Sequence, residues 1–137
     1  MDTDYLSQLQ RGDRQILAHL SQIQPQQIGI TIITVEEQIR GRLAKIRQVE
    51  TKRNNQEIIL AYHNLRITLE DLRNYPIFDF TSDANNCYAQ ILQQKLKIGR
   101  QDQKIAAITI SVKGILLTRN YRDFSKISNL TLAPLTQ

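Results

Sequence analysis

The sequence predicts an α/β protein with a mostly parallel sheet covered on both faces by helices. Three observations carry this. Short β-branched or apolar runs alternate with long amphipathic segments. No internal repeat or linker divides the 137 residues, so one domain over 1–137 is expected. The chain is 41 % hydrophobic and 23 % charged, enough apolar matter for a core and too little charge for disorder.

The elements follow in order. "YLSQLQRGDRQILAHLSQI" (5–23) has helical spacing, with a break at Gly12 and Asp13 as N-cap. "QPQQ" (24–27) is a turn. "IGITIIT" (28–34) has the β-branched density of a buried parallel strand. "TVEEQIRGRLAKIRQVETKR" (34–53) is a helix, and Thr34 and Glu37 have capping-box spacing. "NNQEIILAYHNLRITLEDLRNY" (54–75) is a second long helix, with Ile58, Leu65, Leu69 and Leu72 on one face, ended by Pro76. "PIFDF" (76–80) is a strand. "SDANNCYAQILQQKLKIG" (82–99) and "QDQKIAAITISVKG" (101–114) are helices that stop at Gly99 and Gly114. "GILLT" (114–118) is a strand, "RNYRDFSKI" (119–127) a loop, and "LTLAPL" (130–135) a last short strand.

Composition narrows the function. The single cysteine, Cys87, excludes an intrachain disulfide and a cysteine-rich zinc site. It lies in a predicted helix with no neighbouring histidine, which argues for a packed thiol rather than a nucleophile. His19 and His63 lack metal-ligand spacing. No stretch has the length of a membrane span, and the acidic, polar start is unlike a signal peptide, so a cytoplasmic location is expected. A net charge of +5 favours an anionic partner, nucleic acid first, although the basic residues are spread out.

Ligands of α/β sheets bind beyond the carboxyl ends of the strands. Acidic residues recur there in this basic chain. Glu36 and Glu37 follow "IGITIIT", Asp123 follows "GILLT" with Arg119 and Asn120, Asp102 opens a helix, and Asp2 and Asp4 open the chain. Singly, each has a plainer role as a helix cap, a favourable charge at a helix start or a solvated terminal charge. Together they suggest an oxygen-only ligand set for a hard cation, Mg²⁺ or Mn²⁺. Carboxylates on a basic surface suit phosphodiester hydrolysis, with the ion steadying charge on phosphorus and Lys or Arg holding the backbone.

"DTDYLSQLQRG", "ITIITVEEQIRG", "IGRQDQKIAAITI", "ILLTRNYRDFSKI" and "LTLAPL" resemble, in order, the signature segments of PIN-domain proteins, more narrowly the VapC-type ribonuclease toxins of type II toxin–antitoxin systems. The resemblance runs over nearly the whole chain. It implies a three-layer αβα fold and Mg²⁺- or Mn²⁺-dependent endonucleolytic cleavage of RNA. It also implies inhibition by a small cognate antitoxin and a possible homodimer. Asp2, Glu37 and Asp102 match the family's metal-binding catalytic acids. Asn120 and Asp123 both fall where the family has its fourth polar group, with Asp123 slightly favoured. Asp4, Thr118, Arg119 and Arg40 are expected to line the site or touch RNA, and Arg42 and Lys45 are further candidates for phosphate contact.

The departure is at the start. The family has an apolar run before its first Asp that forms a central strand, and here only Met1 precedes Asp2. A shortened form with that strand largely missing and Asp2 loosely held is therefore expected. Two alternatives follow: a truncated, catalytically weak PIN-like protein that binds RNA or antitoxin, and, less favoured, a phosphomonoesterase, because Asp2-Thr3-Asp4 is similar to the DxD of haloacid-dehalogenase-type phosphatases.

Overall fold

The computed structural model describes residues 1–134. The chain is a mixed α/β structure of seven α-helices and four short strands among these residues. The predicted strand "LTLAPL" ends at Leu135, outside the described residues.

Helix α1 (Thr3–Gln10) starts on Asp2, whose carboxylate accepts from the Tyr5 amide. Gly12, at φ 81, turns the chain in the left-handed region open to glycine. Asp13 then caps α2 (Arg14–Leu20) by accepting from the Gln15 and Ile16 amides, as predicted. After a 3₁₀ turn at Pro25–Gln27 comes β1 (Ile30–Thr31).

The β-branched run does not continue as strand. Helix α3 (Ile32–Lys52) takes over at Ile32, and its cap is Thr31, whose hydroxyl accepts from the Thr34 amide. The predicted Thr34–Glu37 capping box does not form: the cap lies three residues earlier, at Thr31, and the Thr34 and Glu37 side chains bond to Thr3 instead. The ladder partner explains the short strand, since β2 (Ile77–Phe78) offers two residues in parallel register, Ile30 to Ile77 and Thr31 to Phe78.

Helix α4 (Asn55–Leu72) packs back on α3 over Ile46, Val49 and Ala61, with Ile58 and Leu65 beside them. Leu72 is buried as predicted, but Leu69 is 44 % exposed. Helices α5 (Ser82–Gln93) and α6 (Arg100–Ser111) form the main core, with buried Ile91, Ile105 and Ile108; half-buried Cys87 packs against it. The first of these is shorter than expected, and Gly99 caps the start of α6 rather than following the end of α5. Then β3 (Ile115–Leu116) pairs in parallel with β4 (Thr131–Leu132). Between them the predicted loop contains a helical turn, α7 (Tyr121–Phe124), whose Phe124 is buried.

Instead of one central sheet there are two separate two-stranded pairs. Met1 and Asp2 lie between them. The Met1 nitrogen donates to the Gly29 carbonyl at 2.9 Å, and the Asp2 amide donates to the Leu117 carbonyl at 3.0 Å. Two residues link the pairs but make no ladder. A cavity of about 160 Å³ lies beside them, with Met1, Gly29, Ile30, Ile115 and Leu117 in its wall.

Candidate metal centre

The chain end and the segments that follow β1 and β3 supply the polar residues of one region, and the start of α6 faces them. Asp2 is 3 % exposed. One of its oxygens accepts from the Tyr5 amide at 2.9 Å and the other from the Thr118 hydroxyl. Burial pushes its carboxyl up, and those two bonds pull against the shift. The expectation that Asp2 is loosely held is therefore corrected: the far segment after β3 grips it, and so does its own helix start.

Thr118 is buried and also accepts from the Asn120 amide at 2.9 Å. Asn120 caps α7 and donates from its amide group to an Asp123 oxygen at 3.1 Å. The two residues that spacing left open are bonded to each other, the Asn120 side chain donating to the Asp123 carboxylate. On α3, half-buried Glu37 accepts from the Thr3 hydroxyl at 2.7 Å, and Thr3 also shares a bond with Thr34 at 2.9 Å. Thr3 and Thr34 were not anticipated as site residues; the small hydroxyl beside Asp2 was the available signal.

Asp102 lies in the first turn of α6. Its carboxyl is pushed up to about 6, by burial first and then by the negative charges of Asp2, Glu37, Asp123 and Asp4. The start of a helix ordinarily favours the anion, so burial and the surrounding charge together outweigh the helix dipole here. Asp2, Glu37 and Asp123 thus all act on Asp102, with exposed Asp4 adding to the field. Among the described residues, however, no three acidic, histidine or cysteine side chains stand close enough to grip one ion. The donor set is oxygen-only and over-charged, which fits a hard divalent cation in chemistry.

Arg119 is directed to Asp13 at 2.8 Å, at the start of α2, which engages its charge. Asp13 is a capping carboxylate that also attracts the guanidinium. Arg40 pairs with Glu36 one turn back on the exposed face of α3, which occupies its charge. Glu36 also accepts from Gln101 at 2.8 Å. Lys45 is exposed, whereas Arg42 lines a groove that Glu37 also lines. His19 bonds to the Tyr5 hydroxyl at 2.8 Å, and His63 is exposed on α4.

No protein-family model matches the chain, and no curated protein matches it in sequence. Solved structures do match it. The chain is similar to one in DNA-bound VapBC from Salmonella typhimurium at 19 % identity and a TM-score of 0.75, over 96 % of this chain and 93 % of that one. FitAcB from Neisseria gonorrhoeae gives 20 % identity and a TM-score of 0.74, over 97 % and 94 %. A toxin–antitoxin complex from Klebsiella pneumoniae gives 25 % identity and a TM-score of 0.70, over 99 % and 97 %. The chain thus has, along almost its whole length, the fold of a component of these toxin–antitoxin complexes. Among the described residues, no helix is long and apolar enough to cross a membrane.

Proposed function

We propose that the chain is a single PIN-like domain of three-layer αβα type, a metal-dependent endoribonuclease that serves as the toxin of a toxin–antitoxin pair. The observation that carries this reading is the Asp102 carboxyl, pushed up to about 6 by burial and by the acids around it. Mutual repulsion of that kind is tolerated where a divalent cation relieves it. Asp2, Glu37, Asp102 and Asp123 would hold Mg²⁺ or Mn²⁺, which when bound offsets their charge, activates water and stabilises charge on the phosphoryl oxygens.

The chain's own residues do the positioning. Thr118 fixes Asp2, Thr3 orients Glu37, and Asn120 steadies Asp123. These are neutral donors aimed at anions, so each orients a ligand without adding charge. The antitoxin would cover apolar surface on the α3–α4 hairpin, where Ile59 is 70 % exposed and Leu60, Ile67 and Leu43 are exposed beside it or on the facing helix. The solved relatives are themselves complexes, which supports such a partner.

A second reading has one observation in its favour. No three ligands among the described residues stand at gripping distance, as expected of a protein that binds RNA or antitoxin without cutting. Cleavage of a single-stranded RNA with Mg²⁺, Mn²⁺ or EDTA separates the two. The toxin reading expects cleavage that EDTA stops and that Asp102→Asn lowers by about 10³-fold. Binding without cleavage under any metal supports the second reading, and cleavage in EDTA overturns the metal site.

A further inference from the structure

A groove of about 410 Å³ runs between α1 and α3, with Thr3 and Glu37 at its head and Arg11, Gly41 and Arg42 further along both helices. Arg42 is half-buried, and its Nε donates to the hydroxyl of buried Thr68 at 2.8 Å. That bond fixes the guanidinium plane through a neutral partner and leaves the terminal nitrogens for another ligand. Among the described residues, neither Arg42 nor Arg11 has an acidic partner; the ion pairs involve Arg40, Arg66 and Arg119. Asp71, beside the groove, is engaged by Gln10 at 2.7 Å. Gln10 and Gln38 also exchange two amide bonds of 3.0 Å each, a polar stretch between the acid and the arginines.

A planar guanidinium, pre-oriented and left without a carboxylate, matches the tetrahedral oxygens of a phosphate. Along the helix axes Arg11 lies about 12 Å from Thr3, and Arg42 about 8 Å from Glu37, at 1.5 Å per residue. Those distances suit phosphates neighbouring the one at the carboxylates. We infer that the α1–α3 groove is a backbone subsite for single-stranded RNA, in which Arg11 and Arg42 bind phosphates on one side of the bond to be cut. The inference rests on the ribonuclease reading and adds where the strand runs.

Gly41 supplies the cleanest test, because a Cβ built there meets nothing within 4 Å. Gly41→Trp should fold at least as well as the parent, since it replaces a helix glycine, while filling the groove. Binding of a labelled single-stranded RNA is measured against salt with Mg²⁺ present, each variant being made in the uncleaving Asp102→Asn protein. Arg11→Gln with Arg42→Gln should make the log–log salt slope shallower by about 1.4, from about 0.7 per phosphate lost. Gly41→Trp should weaken binding about tenfold or more with an unchanged melting temperature. Unchanged slope and affinity in both variants overturn the groove, and if the parent still cleaves RNA with metal, only the groove falls. No metal-dependent cleavage by the parent overturns the ribonuclease reading itself. An acidic peptide that binds with the same groove dependence while RNA does not overturns the assignment to RNA.

Discussion

Helices α1 and α6 each bring a carboxylate to the same region, and they begin in opposite ways. At the start of α1, Asp2 is itself the cap, and both of its oxygens are taken by the Tyr5 amide and the Thr118 hydroxyl. At the start of α6 the cap is Gly99, which has no side chain to offer, and Asp102 stands within the first turn. Burial raises both carboxyls. Hydrogen bonds pull against the rise at Asp2, whereas four neighbouring acids add to it at Asp102. The difference separates two tasks. Asp2 comes to the site already fixed in place by the fold, and Asp102 carries charge that the fold leaves unbalanced.

Asp102→Asn is the strongest way to break this contrast. It should lower metal-dependent cleavage by the largest factor of any single change, while the metal-free protein keeps or gains stability, read as the melting temperature in EDTA. Next is Thr118→Val, which preserves shape but strips a bond from buried Asp2 and the acceptor of the Asn120 amide. A loss of about 2 kcal/mol, or roughly 8 °C in melting temperature, is expected from chemical and thermal unfolding.

The pH dependence sharpens the contrast further. Asp102 titrates near its ordinary 3.8 when unfolded and at about 6 when folded, so the folded chain holds the extra proton between those values. The Asp102 contribution to the stability of the metal-free protein should therefore fall as pH rises from about 4 to about 6. Asp102→Asn should remove about 1 kcal/mol of that fall after allowance for solvent screening, leaving a residual slope of the same sign from Asp2. The smallest effect is expected from Gly99→Ser, which gives α6 the side-chain cap that α1 already has. A gain of a few tenths of a kcal/mol with unchanged cleavage would match a helix start that differs in capping alone.

Much of this architecture was legible because it is local. Asp13 caps α2 and Pro76 follows α4, each from signals within a few residues. The β1–α3 junction was misread because "IGITIIT" has strand composition throughout, yet only two of its residues find a ladder partner in Ile77 and Phe78. The site was legible as a list of acids and not as a set of clamps. Thr118 reaches Asp2 across 116 positions, and Thr3 reaches Glu37 across 34, distances at which spacing carries no signal. Asn120 and Asp123 looked like rivals because three-residue spacing suits either as ligand, and only the fold turns one into the holder of the other.

The bonds from Met1 to Gly29 and from Asp2 to Leu117 make these two residues a strap between the strand pairs. Any shift of one pair against the other is therefore felt at the Asp2 carboxylate, which rides on that strap.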